Sequence, residues 1–215
     1  MLKILKNQRD CLREFNSYYN DTDNQKREYR IKLEIPENKK VILYAPTFRD
    51  DFATECYNID SQMIIKAFEE RFNYPFLILT RLHPNVQWQE ACFKYENTVI
   101  NVTNYPDIQD LYYIADYMIS DYSSAMFDFS LLHKPVFLFA SDYEKYKESR
   151  GISLRLEDTP FSLSRTNKEL VDNIRLFSEK DYWERFDYFK GNYWKPYDNG
   201  KAAYEVVKWI KNKIK

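Results

Sequence analysis

From Lys40 onward the chain alternates short unbroken apolar runs with longer stretches in which apolar side chains recur every three or four positions. The runs are Val41-Ile-Leu-Tyr-Ala45, Phe76-Leu-Ile-Leu-Thr80, residues 98 to 102, Tyr117-Met-Ile-Ser120 and Val136-Phe-Leu-Phe-Ala140. A strand covered on both faces needs such a run, because side chains on both sides of its pleat are buried. The intervening periodicity predicts helices over 60 to 72, 107 to 115 and 124 to 132. This alternation specifies an α/β domain, Rossmann-like, with a mostly parallel sheet and helices on both faces. After Asp142 the pattern turns helical, with Asn167 to Phe177, Lys180 to Tyr188 and Lys201 to Ile214 the clearest segments. Residues 1 to 39 are rich in charge and read as a polar linker with a helical stub, leaving 40 to 215 as the domain.

Composition narrows the function classes. With 215 residues, 44% apolar content and 34 Phe and Tyr side chains, one domain with a substantial core is expected. Net charge is −1, so no global field favours nucleic acid, and any anion site must be a local arrangement. Cys11, Cys56 and Cys92 are too widely spaced for a zinc site or a disulfide framework, which points to a reducing, cytoplasmic setting. No stretch reaches the roughly 20 apolar residues of a membrane span, so membrane contact is expected to be peripheral at most. The basic, amphipathic segment 201 to 215 fits either an interfacial helix or a helix docked on its own domain. Gly151, Gly191 and Gly200 are the only glycines, which excludes a glycine-rich phosphate loop or dinucleotide fingerprint. No metal ligand set and no cofactor are expected.

Three of the apolar runs end in polar clusters. Ala45 leads into Pro46-Thr-Phe-Arg49, Thr80 into Arg81-Leu-His-Pro84, and Ser120 into Asp121-Tyr-Ser-Ser124. Parallel strands share one carboxyl edge, where α/β folds bind phosphates beside helix amino ends. Thr47, Arg49, Arg81, His83, Ser123 and Ser124 are therefore candidates for one crevice suited to a phosphate or diphosphate. Each also has a structural reading: the serines and Asp121 as helix caps, Arg49 as a solvated charge, His83 as a structural histidine.

The set Ala45-Pro-Thr-Phe-Arg-Asp50, Arg81-Leu-His-Pro84 and Ser120-Asp-Tyr-Ser-Ser124 with Phe127-Asp128 resembles the carboxyl-terminal half of the CDP-glycerol glycerophosphotransferases. The resemblance extends from about Ile35 to the end through Tyr143-Glu-Lys-Tyr146, Arg150-Gly151 and Asp198-Asn-Gly-Lys-Ala202. It implies a GT-B arrangement of two Rossmann-like halves, of which this chain supplies the donor-binding one. It also implies transfer of glycerol phosphate from CDP-glycerol, or a related CDP-alcohol, to a lipid-linked acceptor in teichoic-acid or capsule polymer synthesis. Family members usually have Pro-Gly-Pro near Thr159-Pro-Phe-Ser162. The family's amino-terminal, acceptor-binding half has no counterpart ahead of Lys40, so a partner domain or subunit is expected to supply it. With it, the inner face of the cell membrane is the implied location.

On that resemblance, Arg81, His83, Ser123, Ser124, Thr47 and Arg49 are expected at the diphosphate. His83 is the catalytic candidate, donating to the leaving phosphate as an imidazolium. Asp121 and Asp128 are candidates for glycerol or ribose hydroxyls, since Asp128 lies one turn beyond Ser124. Asn104, Tyr105 and Asp107 are placed to frame the cytosine. His133, before Lys134-Pro135, reads as a helix C-terminal cap. Alternative readings are a donor-binding module inactive without its partner, and a GT-B glycosyltransferase with another nucleotide-sugar donor. Because one half of a two-part site presents an open face, an exposed apolar and aromatic patch is expected beside the donor site.

Overall fold

A computed structural model describes residues 23–50, 55–83, 98–152, 154–194 and 202–213. Helix α1 (Asp23–Lys32) leads to β1 (Lys40–Tyr44), a 3-10 turn at Glu55–Tyr57, α2 (Ser61–Phe72), β2 (Phe76–Thr80), β3 (Val99–Asn101) and α3 (Ile108–Ile114). Then follow β4 (Tyr117–Ser120), α4 (Ala125–Ser130), β5 (Val136–Phe139), α5 (Tyr143–Arg150) and a 3-10 turn at Leu156–Asp158. The chain continues through β6 (Ser162–Ser164), α6 (Asn167–Arg175), α7 (Glu179–Asn192) and α8 (Ala202–Lys213).

The six strands form one parallel sheet in the order β3-β2-β1-β4-β5-β6. Every residue of β2, β4 and β5 is buried, which is why these strands read as continuous apolar runs. Phe68 of α2 anchors one face, with ring centroids 5.0 to 5.6 Å from Tyr117, Phe76 and Phe137. Helix boundaries follow local chemistry. The Asp60 carboxylate accepts from Met63 N to start α2, and Asn73, at φ 49°, ends it with its N–H on Glu69 O. Thr166 and Ser178 start α6 and α7 in the same way.

Three features go beyond the sequence pattern. β6 is a three-residue edge strand in a segment that reads as non-strand, because Ser162-Leu-Ser164 has neither an apolar run nor a long alternation. The charged stretch read as linker is helical from Asp23, and Tyr29, Leu33 and Ile35 pack onto the core. Lastly, α8 leaves its apolar face open: Trp209 is 55% exposed and Tyr204, Val207 and Ile210 are exposed as well. No described helix is long and apolar enough to cross a membrane.

Candidate functional site

The strand order reverses between β1 and β4, where consecutive connections run to opposite sides and leave a crevice at the carboxyl edge. The main chain leaves both strands under tight control. Ala45 N donates to Ile119 O at 3.0 Å and Ser120 Oγ to Ala45 O at 2.8 Å. Past this point Asp121 turns its carboxylate toward the β1 loop. It accepts from Thr47 N at 2.8 and 3.0 Å, Thr47 Oγ1 at 2.5 Å, Tyr122 N at 2.7 Å and Arg49 Nη2 at 3.0 Å.

Arg49 in turn bridges two strands. Its Nε and Nη2 donate to Asp142 at 2.6 and 2.9 Å, and its Nη1 donates to Thr47 O at 2.5 Å. Tyr122 Oη donates to Asp142 Oδ1 at 2.8 Å, and the Tyr122 ring stacks on Tyr146 of α5 at 3.7 Å. The guanidinium lies 4.8 and 5.0 Å from those two ring centroids. Arg49 is 5% and Asp121 2% exposed. Burial opposes the charge on Arg49, but the Asp142 bonds and the Asp121 carboxylate outweigh it and raise its pKa. Burial likewise opposes ionisation of Asp142, and Arg49 overcomes it, so that carboxyl lies below its ordinary range. The ends of β1, β4 and β5 are thereby locked together by a two-carboxylate, one-guanidinium network.

The β2 side of the edge is built differently. Among the described residues Arg81 makes one long bond, Nη2 to Tyr105 O at 3.3 Å, and its buried Nε has no hydrogen-bond partner. Burial lowers its pKa, only partly countered by Tyr112 and Asp107. His83 is exposed and stacks on Phe48 at 5.7 Å, with the planes 29° apart. Burial, Arg81 and Arg150 all lower its pKa, which favours the neutral imidazole in the donor-free site. Phe48 also carries the Arg150 guanidinium, 5.3 Å from its centroid. Arg150 Nε donates to Asp50 Oδ2 at 2.6 Å, and its Nη2 to Oδ1.

Ser123 and Ser124 begin α4. Ser123 Oγ accepts from Ala125 N at 3.2 Å, whereas Ser124 is exposed and its side chain makes no cap hydrogen bond. Asp128 is half-buried on the same short helix. On the β3 side, Asn104 is exposed, but Tyr105 is only 8% exposed, donates to Asp110 Oδ2 at 2.9 Å and lies under Lys32. Asp107 caps α3 through Gln109 N at 2.9 Å. At the edge His83, Ser124 and Asn104 are exposed and Arg81 and Ser123 half-buried, while Thr47, Arg49, Asp121, Tyr105 and Asp107 are bonded within the fold. The expected apolar patch beside the site does not form among the described residues: the rings there, Phe48, Tyr122 and Tyr146, are half-buried. Exposed Tyr188 and Tyr193 lie instead on and just after α7.

Sequence reasoning missed Asp142 and did not assign roles to Tyr122, Phe48 and Asp50. A carboxylate two residues past the apolar Val136 to Ala140 run was the available signal.

A parallel sheet in this order, with its switch point at the carboxyl edge between β1 and β4, defines a Rossmann-like α/β class of domain. Within it, the family model described as CDP-Glycerol:Poly(glycerophosphate) glycerophosphotransferase matches residues 15–212. The chain belongs to that family. It is 35% identical over 194 residues to a teichoic acid poly(glycerol phosphate) polymerase of Staphylococcus epidermidis, covering 87% of this chain and 27% of that protein. Among solved structures it resembles the wall teichoic acid polymerase TagF, with TM-score 0.71 and 31% identity over 93% of this chain and 50% of that one. A TagF variant soaked with CDPG matches at TM-score 0.70 and 31% identity, over 94% and 52% of the two chains. This chain thus spans about a quarter of the polymerase sequence and half of the solved chain.

Proposed function

We propose that this chain provides the donor site of a transferase that moves glycerol phosphate from CDP-glycerol to a lipid-linked acceptor in teichoic-acid or capsule polymer synthesis. The observation that carries this reading is Arg81, a partly buried cation whose Nε has no partner among the described residues, beside His83 on the carboxyl edge of a family member. In the reaction an acceptor hydroxyl attacks the glycerol-bearing phosphorus, the bond to the bridging oxygen breaks, and CMP leaves with the bonding pair.

Arg81, His83, Ser123 and Ser124 would bind the diphosphate and stabilise the charge that builds on departing CMP. His83 donates one N–H as a neutral imidazole, and an incoming diphosphate raises its pKa. Arg49, Thr47 and Asp121 act one layer behind, fixing the β1 and β4 loops. Asp128 accepts a glycerol or ribose hydroxyl, and Asn104 meets the cytosine from the β3 side. Protein or domain partners would complete the acceptor side, working at the inner face of the cell membrane without a membrane span in the described helices. Calorimetry with CDP-glycerol, CDP-ribitol and UDP-sugars, beside an assay for CMP release, tests this reading. Binding of CDP-glycerol with CMP release supports the transferase. Binding without release supports a donor-binding module, and preference for a UDP-sugar overturns both.

A further inference from the structure

Beyond that reading, and resting on it for the reaction concerned, we infer that Phe48 is a positioning residue that holds the His83 imidazole at the carboxyl edge. His83 lies past the end of β2 with its side chain exposed, so the strand alone does not fix its ring. A contact that restricts it is the stack on Phe48, with centroids 5.7 Å apart and planes 29° apart. Phe48 itself is fixed from three directions. Its chain neighbours Thr47 and Arg49 are bonded to Asp121, which pins the loop after β1. Its ring is half-buried and carries the Arg150 guanidinium at 5.3 Å. Arg150 is held by both carboxylate oxygens of Asp50, two residues beyond Phe48.

A rotatable side chain in contact with reacting groups loses rate when its orientation spreads, because the productive arrangement becomes a smaller share of the ensemble. A flat ring restricts an imidazole better than an aliphatic side chain does, since stacking fixes the plane as well as the distance. Asp142 and Tyr122 stabilise the neighbouring network, but they bond to Arg49 and to each other. Phe48 thus links the β1 loop and, through Arg150, the C-terminal end of α5 to the His83 ring. The charged groups facing the imidazole are Arg81 from the end of β2 and Arg150 from α5, with Asp50 behind Arg150.

The test compares Phe48→Leu, Phe48→Tyr and Arg150→Gln with the unaltered chain. The chain has two histidines, His83 and His133, so the imidazole proton resonances are few, and a His83→Ala spectrum identifies the relevant pair. In Phe48→Leu the His83 resonances lose their ring-current shift and the titration midpoint moves up toward the ordinary histidine value. Arg150→Gln also raises the midpoint but keeps the ring-current shift, and Phe48→Tyr keeps both. In the CMP-release assay Phe48→Leu lowers kcat about tenfold with less than a twofold change in KM for CDP-glycerol, and Phe48→Tyr restores it. Unchanged His83 shifts and midpoint in Phe48→Leu overturn the inference. So does a parallel loss of kcat and rise in KM, or a failure of Phe48→Tyr to restore turnover. The titration uses no donor, so it reads the contact even if the chain releases no CMP, which would count against the proposed reaction instead. Circular dichroism confirms that each variant is folded, and Arg150→Gln, at the surface, keeps the test intact if Phe48→Leu is not.

Discussion

The two sides of the carboxyl edge solve opposite problems. On the β1/β4/β5 side, every charge has been given its partner inside the protein: Arg49 meets Asp121 and Asp142, and Tyr122 completes Asp142. On the β2 side, the buried Nε of Arg81 has no partner among the described residues, and its neighbour His83 faces Arg81 and Arg150. A satisfied buried network stabilises one geometry but has little capacity left for a ligand. An under-satisfied cation costs stability and regains it when an anion arrives. We read the first side as the frame and the second as the wall that would meet a donor, although both carry an Arg in the loop after a strand.

Removing the frame should have the largest effect on the fold. Arg49→Ala leaves two carboxylates facing each other, one fully buried, and is expected to destabilise the protein by about 3–5 kcal/mol in urea unfolding. A loss below about 1 kcal/mol would place Arg49 among ordinary surface charges. Changes on the wall act on function instead. His83→Ala is expected to lower CMP release by about 10²–10³ while changing donor affinity less, measured by kcat against Kd. Equal losses in both would make His83 a binding group only. Arg81→Ala should weaken donor binding roughly ten- to a hundredfold with a melting temperature unchanged or raised, the reverse of the Arg49 pattern.

The smallest effect separates the sides by pH. Asp142, held below its ordinary range by Arg49, contributes stability that is complete above about pH 4 and is lost as pH falls through its folded pKa. His83, also depressed, takes up protons more readily when unfolded, so its contribution falls as pH drops below about 6.5. Unfolding midpoints should therefore show two successive losses between pH 7 and 3. His83→Ala removes the upper one alone.

Much of this frame was legible in the amino-acid order. Strands covered on both faces advertise themselves as unbroken apolar runs, and the polar residues that end them locate the edge. β6 did not, because a three-residue edge strand held between Phe137 and Phe139 on one side needs no apolar run of its own. The division of labour within the edge was hidden as well. An Arg or Asp after a strand reads alike whether it meets a ligand or a buried partner, and only burial distinguishes Arg49 from Arg81. Asp142 went unassigned because it sits at the start of a helix, yet its carboxylate makes no cap bond and faces Arg49 and Tyr122. Tyr105 follows the same logic: a ring at a strand end suggests base stacking, but here it is covered by Lys32 and tied to Asp110.

The central claim is that the under-satisfied wall, not the locked frame, binds the donor, and isothermal calorimetry with CDP-glycerol on Arg81→Ala and Ser124→Ala tests it most directly. Both variants should fold with stability like that of the unaltered chain and bind the donor about ten- to a hundredfold more weakly. Unchanged affinity in both folded variants would contradict it.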